Sequence, residues 1–505
     1  MEKLYYMGID VGTTGCKTVI FDQDGISFGE AYREYPVICT MPHQAEQDAE
    51  QVFALLVQTM SEAVSKAGVR SVEALSISVQ GDAVMPVDSD YQVLHHVILG
   101  MDYRPHEQCA EYGKFHDEWK LYEITGQPLH PINMMAKIMW FYKMKPQIAE
   151  RTYKFITYAE FILQRLGGNA VIDDTMASRS MGYDIEKRCW SEEVLKTMCI
   201  PKEKLSGVCR SGSPVGKMDS RLAEQIGLKN CPVLIAGGHD QPIGAVGAGV
   251  IREGMAVDST GTAEVLSTTY REPKINQDMY HCYYSCYYHA VPDMYFSFAH
   301  MQTGGILQRW YRDTFGHQEE QEAEKLGRNF YEYAQTKCKA QPSSVLVLPH
   351  FNGSGTPLCD MDSKGAIVGL TLSSTRHDVL KGILDSLCYE LRTNLDAMQK
   401  SGIAIHELRA VGGGARSPMW LQTKANIMGT VIKTMESKEA GCLGAAVLAA
   451  AGTGYYASLE EACGKMVRTA DCYEPEPEMQ KRYNEKYEVY LELYESLKAI
   501  NRRLG

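Results

Sequence analysis

None of the 15 cysteines forms a Cys-x-x-Cys pair, and their number is odd. That excludes a paired-cysteine zinc or redox motif, and scattered thiols fit a reducing, cytoplasmic compartment. No run of about 18 apolar residues is present, so no membrane-crossing helix is expected. The first twenty residues hold Asp10 and a Gly-rich turn where a secretion signal would need an apolar core. Net positive charge is missing too: 63 acidic against 51 basic residues give −12. Neither nucleic acid nor an anionic membrane is expected as the main partner. For an anionic ligand, positive potential must come locally, from turn N–H groups, helix N-termini and bound cations. What remains is a soluble globular composition, 45% hydrophobic and 23% charged, in a 505-residue chain. That length calls for two or three domains.

The most informative stretch is Leu4–Asp24. An apolar run ends at Asp10, a turn follows (Gly12, Thr13, Thr14, Gly15), and a β-branched run resumes at Thr18. This reads as a β-hairpin. Gly lets the backbone approach a ligand, and Thr hydroxyls and turn N–H groups donate to phosphate oxygens. Asp10, at the mouth of the turn, is placed to hold Mg²⁺ directly or through water. No Gly-Lys-Ser/Thr follows, so this is not a P-loop. An ordinary hairpin with a solvated Asp is the plainer alternative.

Further along, Val72–Val79 reads as a strand running into Gln80-Gly81-Asp82, and Ala49–Gly68 as a helix with Val52, Leu56, Met60 and Val64 on one face. Cys231–Gln241 reads as a buried strand breaking at Gly237-Gly238 into His239-Asp240-Gln241, with a helix from Pro242. Asp240 is either a proton acceptor for a substrate hydroxyl or a helix N-cap. Met255–Glu264 then repeats the opening device: a short strand, a Ser/Thr-Gly-Thr turn and another apolar run. Two such hairpins suggest an internal duplication with a nucleotide between the halves. Leu408–Ser417 is a strand ending in Gly412-Gly413-Gly414, which suits a flat adenine or ribose, or merely tight strand–helix packing. Cys442–Ala451 is a helix of small residues that lets a neighbour pack very closely. His281–His289 contains two His and two Cys, but its alternating Tyr residues predict a strand rather than a zinc site.

Together these motifs resemble the FGGY carbohydrate kinases, relatives of xylulokinase and glycerol kinase, along essentially the whole chain. The carriers are Gly8–Thr14, Thr125–Leu129, Gly237–Gln241, Ser259–Thr262, Gly365–Leu370, Gly412–Ser417 and Gly441–Ala446. The resemblance implies an α/β fold of two ribonuclease-H-like (actin and sugar-kinase type) domains with a cleft between them. Residues 1–253 would bind the sugar and carry the first phosphate hairpin, and 254–505 would bind nucleotide. It implies ATP and Mg²⁺, with Asp240 as general base and Asp10 on the metal. Gly12, Thr13, Thr14 and Lys17 would contact phosphates, and Gly261 and Thr262 would form the second clamp. Gly304, Gln308, Gly413, Gly414, Ala415 and Ser417 would line the nucleoside site. A homodimer is the expected assembly.

On the sugar side the resemblance points to Gln80, Gly81, Asp82, Asp102, Asp240 and Gln241. Xylulokinases carry Gln-Met-His-Gly where this chain reads Gln80-Gly-Asp-Ala-Val84. Gly-Asp is similar to relatives acting on L-xylulose or on polyols such as erythritol. The implied reaction is ATP-dependent phosphorylation of a ketopentose of xylulose type or a related polyol. A catalytically silent sugar- and nucleotide-binding regulator on the same fold is the competing reading.

Overall fold

The computed structural model describes residues 3–504. Tyr5–Val11 and Gly15–Asp22 form the opening antiparallel hairpin, and Ser27–Glu34 adds a third strand. The helix Ala49–Ala67 begins where Asp48 accepts from the N–H groups of Glu50 and Gln51, and it stops at left-handed Gly68. Its Val52, Leu56, Met60 and Val64 are buried. Each such side chain stabilises the fold by about 1.5–3 kcal/mol.

Two sheets form the cores of the two halves. The first has six strands, in the order Pro214–Lys217, Val233–His239, Ala74–Val79, Tyr5–Val11, Gly15–Asp22, Ser27–Glu34. The second has seven, with Tyr295–Met301, Glu264–Tyr270, Gly254–Thr260, Ile405–Gly412 and Val431–Met435 running consecutively through it. In both, a three-stranded antiparallel meander is followed by two strands parallel to its first. The same topology twice in one chain is the structural form of the repeated hairpin.

The helix Ala440–Gly452 belongs to the second half but packs on the first, against the strand Tyr5–Val11 and the helix Asp240–Gly247. Glycine makes this contact possible. A Cβ on Gly8 would lie 1.8 Å from the Cys442 carbonyl oxygen, and one on Gly247 would lie 1.9 Å from that of Ala440. The last helix, Pro477–Arg503, buries Tyr483, Tyr487 and Tyr490. No helix among the described residues is long and apolar enough to cross a membrane.

One expected strand is mostly absent. Within 281–289 only Tyr287–Tyr288 is extended, because the helix Gln277–His281 runs into the start and Tyr283 turns the chain at φ 59°. His289 is buried, its Nε2 2.9 Å from the Val250 carbonyl.

Candidate active site

Asp10 stands near the end of the first strand of the opening hairpin, half-buried. Its Oδ1 accepts from Ser78 Oγ at 2.6 Å, across the parallel pairing with Ala74–Val79. A Cβ on Gly441 would lie 3.0 Å from this carboxylate, so the start of the helix Ala440–Gly452 sits directly beneath it. Burial pushes the Asp10 carboxyl's proton affinity up. Asp240 is the first residue of the helix Asp240–Gly247, with His239 at the N-cap position. It is thus not the cap. Its side chain is 34% exposed, and His239 Nε2 lies 3.1 Å from its Oδ1. His239 Nδ1 lies 3.1 Å from the Tyr287 hydroxyl. Burial holds His239 neutral. With Tyr287 donating to Nδ1, Nε2–H is left to donate to Asp240 and orient it. The Asp240 pKa is raised to about 7, by burial first and then by the charge of Asp10.

Asp10 stands above the start of the helix Ala440–Gly452, and its charge reaches Asp240. Among the described residues no cluster of three or more His, Cys, Asp or Glu forms a ready-made metal cage. Mg²⁺ commonly binds through one or two carboxylates plus substrate phosphates and water. The Asp10 carboxylate, whose Oδ2 receives no protein hydrogen bond among the described residues, fits that role.

Next to Gly81, which packs on His239, Asp82 adopts a left-handed backbone, φ 61°, and Arg179 Nε donates to its Oδ2 at 2.8 Å. The other oxygen, Oδ1, is buried without a hydrogen-bond partner. The Arg179 guanidinium also lies 4.8 Å over Phe298. Lys137 Nζ donates to the Asp82 carbonyl at 3.0 Å, and burial pulls its pKa down to about 8. Gly81 packs on His239: a Cβ there would meet Nε2 at 2.4 Å.

The second hairpin, Gly254–Thr260 and Glu264–Tyr270, turns through Gly261-Thr262. The helix Gly305–Phe315 is tied to that turn, since Gly305 N–H donates to the Gly261 carbonyl at 2.8 Å. Beside it lies a cavity of about 330 Å³, lined by Thr260, Gly261, Thr262, Gln308, Gln335, Gly413, Gly414, Ser417 and Trp420. That is within the range of small-molecule sites. Ser417 caps the helix Pro418–Met428 and donates to Gln335 Oε1, while Gln335 Nε2 donates to Gln308 Oε1 at 3.1 Å. Turn N–H groups, a helix start and amide side chains suit a nucleotide.

The structure brings Asp10, Gly81, Asp82 and Asp240 around one centre and Gly261, Thr262, Gln308, Gly413, Gly414 and Ser417 around the other. Six expected site residues are engaged or placed elsewhere. Gln80 is buried, with Nε2 donating to Gly12 and Gln47 oxygens and Oε1 accepting from Thr13, so it braces the first turn. Asp102 is fully buried under Arg104, at 2.7 Å, and the Ala45 N–H, which leaves it no face for a sugar. Lys17 is paired with Glu439 at 2.6 Å, a link between the halves. Gly304 packs its backbone on Ala263 behind the cavity instead of lining it. Ala415 sits in the short helix Gly413–Arg416, outside the lining, and Gln241 Oε1 accepts from Ser267 at 3.3 Å. Arg179, His239, Ser78, Gln335 and Trp420 were not expected. Only His239 stood inside a quoted motif.

Such a pair of duplicated sheets, with carboxylates on one side and a nucleotide-sized cavity on the other, defines a protein of the actin and sugar-kinase class. Residues 5–247 match the N-terminal domain of the FGGY family of carbohydrate kinases, and residues 256–453 match its C-terminal domain. The chain belongs to that family and is a carbohydrate kinase. It is 26% identical to a xylulose kinase of Bacillus subtilis, over 99% of this chain and 98% of the relative. It is 26% identical to a gluconokinase of the same organism, over 97% and 95%. A glycerol kinase of Deinococcus radiodurans is 28% identical over 91% of each. Among solved structures, a gluconate kinase from Lactobacillus acidophilus superposes with a TM-score of 0.89 at 24% identity, covering 100% of both chains. A xylulose kinase from Brucella ovis gives 0.88 at 25%, covering 98% of this chain and 100% of the other.

Proposed function

We propose that this kinase transfers the γ-phosphoryl group of Mg·ATP to a hydroxyl of a ketopentose of xylulose type or a related polyol, with Asp240 as general base. The observation that carries the reading is the placement of Asp240: one-third exposed, hydrogen-bonded by His239 and within reach of the charge of Asp10. The acceptor oxygen would attack the γ-phosphorus, its proton would pass to Asp240, and ADP would leave. Asp10 would hold a Mg²⁺ ion, which when bound would neutralise charge on the transferring group. Thr13 and Thr14 on one side and Gly261 and Thr262 on the other would grip the phosphates, with the nucleoside in the cavity of the second half. We assign the acceptor to residues 1–253 and the nucleotide to 254–505.

Asp82 and the Arg179 guanidinium provide an acceptor and donors for neighbouring hydroxyls, which supports a polyhydroxylated substrate. The silent-regulator reading is not favoured, because the paired carboxylates would have no use there. The test is ADP release with Mg·ATP across ketopentoses, polyols and aldonates, with Asp240→Ala run beside the wild type. One acceptor turned over by the wild type and not by the variant identifies substrate and base together. Turnover surviving in Asp240→Ala removes Asp240 from the role.

A further inference from the structure

Beneath the second hairpin lies a buried charge cluster that no step above uses. Lys424, on the helix Pro418–Met428, contacts Asp258 Oδ2 and lies 2.5 Å from Glu264 Oε1, with all three side chains about 1% exposed. Its ammonium also donates to Thr260 Oγ1 at 2.8 Å and sits 4.6 Å over the Trp420 ring. Thr260 and Trp420 both line the nucleotide cavity.

Thr260 is gripped from the other side as well. Cβ atoms on Gly412 and Gly414 would each lie 2.6 Å from it, from its carbonyl oxygen and its side chain respectively. One hydroxyl thus joins the hairpin turn, the glycine turn and the helix that Ser417 caps. A buried ion pair adds little net stability when desolvation is counted, but removing one partner leaves an uncompensated charge. Such a cluster sets geometry more than it adds stability.

We propose that Lys424 is a positioning residue for nucleotide: by holding Thr260 between Asp258 and Glu264, it keeps the second phosphate clamp in register with the Gly412–Gly414 turn. This rests on the reading that the cavity takes Mg·ATP. The cluster carries two carboxylates for one ammonium, and burial with the neighbouring Asp258 charge raises the Glu264 pKa to about 8 despite Lys424.

The experiment compares Lys424→Met, Lys424→Arg and the charge-silent triple variant Asp258→Asn, Glu264→Gln, Lys424→Met with the wild type. KM for ATP, KM for the acceptor, ADP affinity and thermal midpoint are measured for each. Lys424→Met should raise KM for ATP and weaken ADP binding about tenfold or more, with KM for the acceptor within about twofold. Lys424→Arg, which keeps the charge, should recover most of the loss. The triple variant should regain the wild-type midpoint while KM for ATP stays raised. The inference is overturned if the triple variant has wild-type midpoint and wild-type KM for ATP, or if the loss falls equally on both substrates. It is also overturned if Lys424→Arg is as impaired as Lys424→Met. Should Lys424→Met fail to fold, the triple and Lys424→Arg variants decide the matter. A wild-type chain that binds neither ATP nor ADP sinks the kinase reading and this inference together. Nucleotide affinity unchanged in Lys424→Met sinks this inference alone.

Discussion

The two hairpins come from one topological plan, yet the aspartate near the end of each first strand lives in a different electrostatic world. Asp10 is half-buried, receives one hydroxyl and, among the described residues, has no side-chain cation bonded to it. Asp258 is fully buried and sealed against Lys424. The difference separates two kinds of carboxylate. One with a built-in ammonium is part of the scaffold, since its charge is already neutralised. One without it carries its charge into the site, where a mobile divalent cation is the natural partner. The glycine turns differ in parallel: the first is braced by Gln80, Gln47 and Tyr35, the second by the start of the helix Gly305–Phe315. Duplication supplied two glycine-threonine turns, and what lies beneath each is the ground on which the first is proposed for metal and acceptor and the second for nucleotide.

The comparison breaks most sharply at Asp240. Asp240→Ala should lower kcat by roughly 10²–10⁴-fold, the usual contribution of a general base, while ADP binding at the second hairpin persists. Loss of nucleotide affinity in that variant would mean that the halves do not divide the work. Asp10→Asn comes next. Removing the proposed metal ligand should reduce kcat on the order of a hundredfold and raise the Mg²⁺ concentration needed for half-maximal rate. Asp258→Asn should leave that Mg²⁺ requirement unchanged. Equal Mg²⁺ shifts in both would erase the distinction between the hairpins.

A smaller effect tests the helix beneath the Asp10–Asp240 space. Gly444→Ala puts a methyl group 1.9 Å from the Ile243 carbonyl oxygen. The overpacking should cost about 1–3 kcal/mol, read as a lower thermal midpoint, and should loosen the helix Asp240–Gly247 that carries the proposed base. An unchanged midpoint would mean that the contact yields without cost.

Much of this plan is visible before any coordinates. Gly and Thr between β-branched runs mark both hairpins, and their recurrence marks the duplication. The small-residue run Cys442–Ala451 announces close packing without saying on what. What the residue order hides is pairing across long separations: Arg179 meets Asp82 from 97 positions away, and Lys424 meets Thr260 from 164. For the same reason Gln80, Asp102 and Lys17 look like ligands in one dimension. A sequence shows which groups carry donors and charges, but not that Gly12, Arg104 or Glu439 already engages them. The tyrosine alternation at 281–289 misleads because Tyr283 turns the chain and stands exposed, while Tyr284 is buried from an irregular segment and Tyr287 and Tyr288 from a two-residue strand.

The finest test is the pH profile, because it reads the coupling between the two carboxylates directly. Asp240 must be ionised to accept a proton, and its pKa is raised from 3.8 to about 7. The rate constant kcat/KM for the acceptor should therefore rise with pH through about 7 and level off above it. The sign for stability is opposite. A carboxyl with raised affinity in the fold holds its proton more tightly folded than unfolded, so its contribution favours the fold in acid and is lost between about pH 4 and 7. Because the Asp10 charge is the second cause of the shift, Asp10→Asn should move the acid limb of the residual activity to lower pH. Added Mg²⁺ should move the wild-type limb the same way, as a cation beside Asp10 cancels its repulsion of a second negative charge. A limb that ignores both changes would place the two carboxylates in separate sites, and the metal would have to be sought away from the first hairpin.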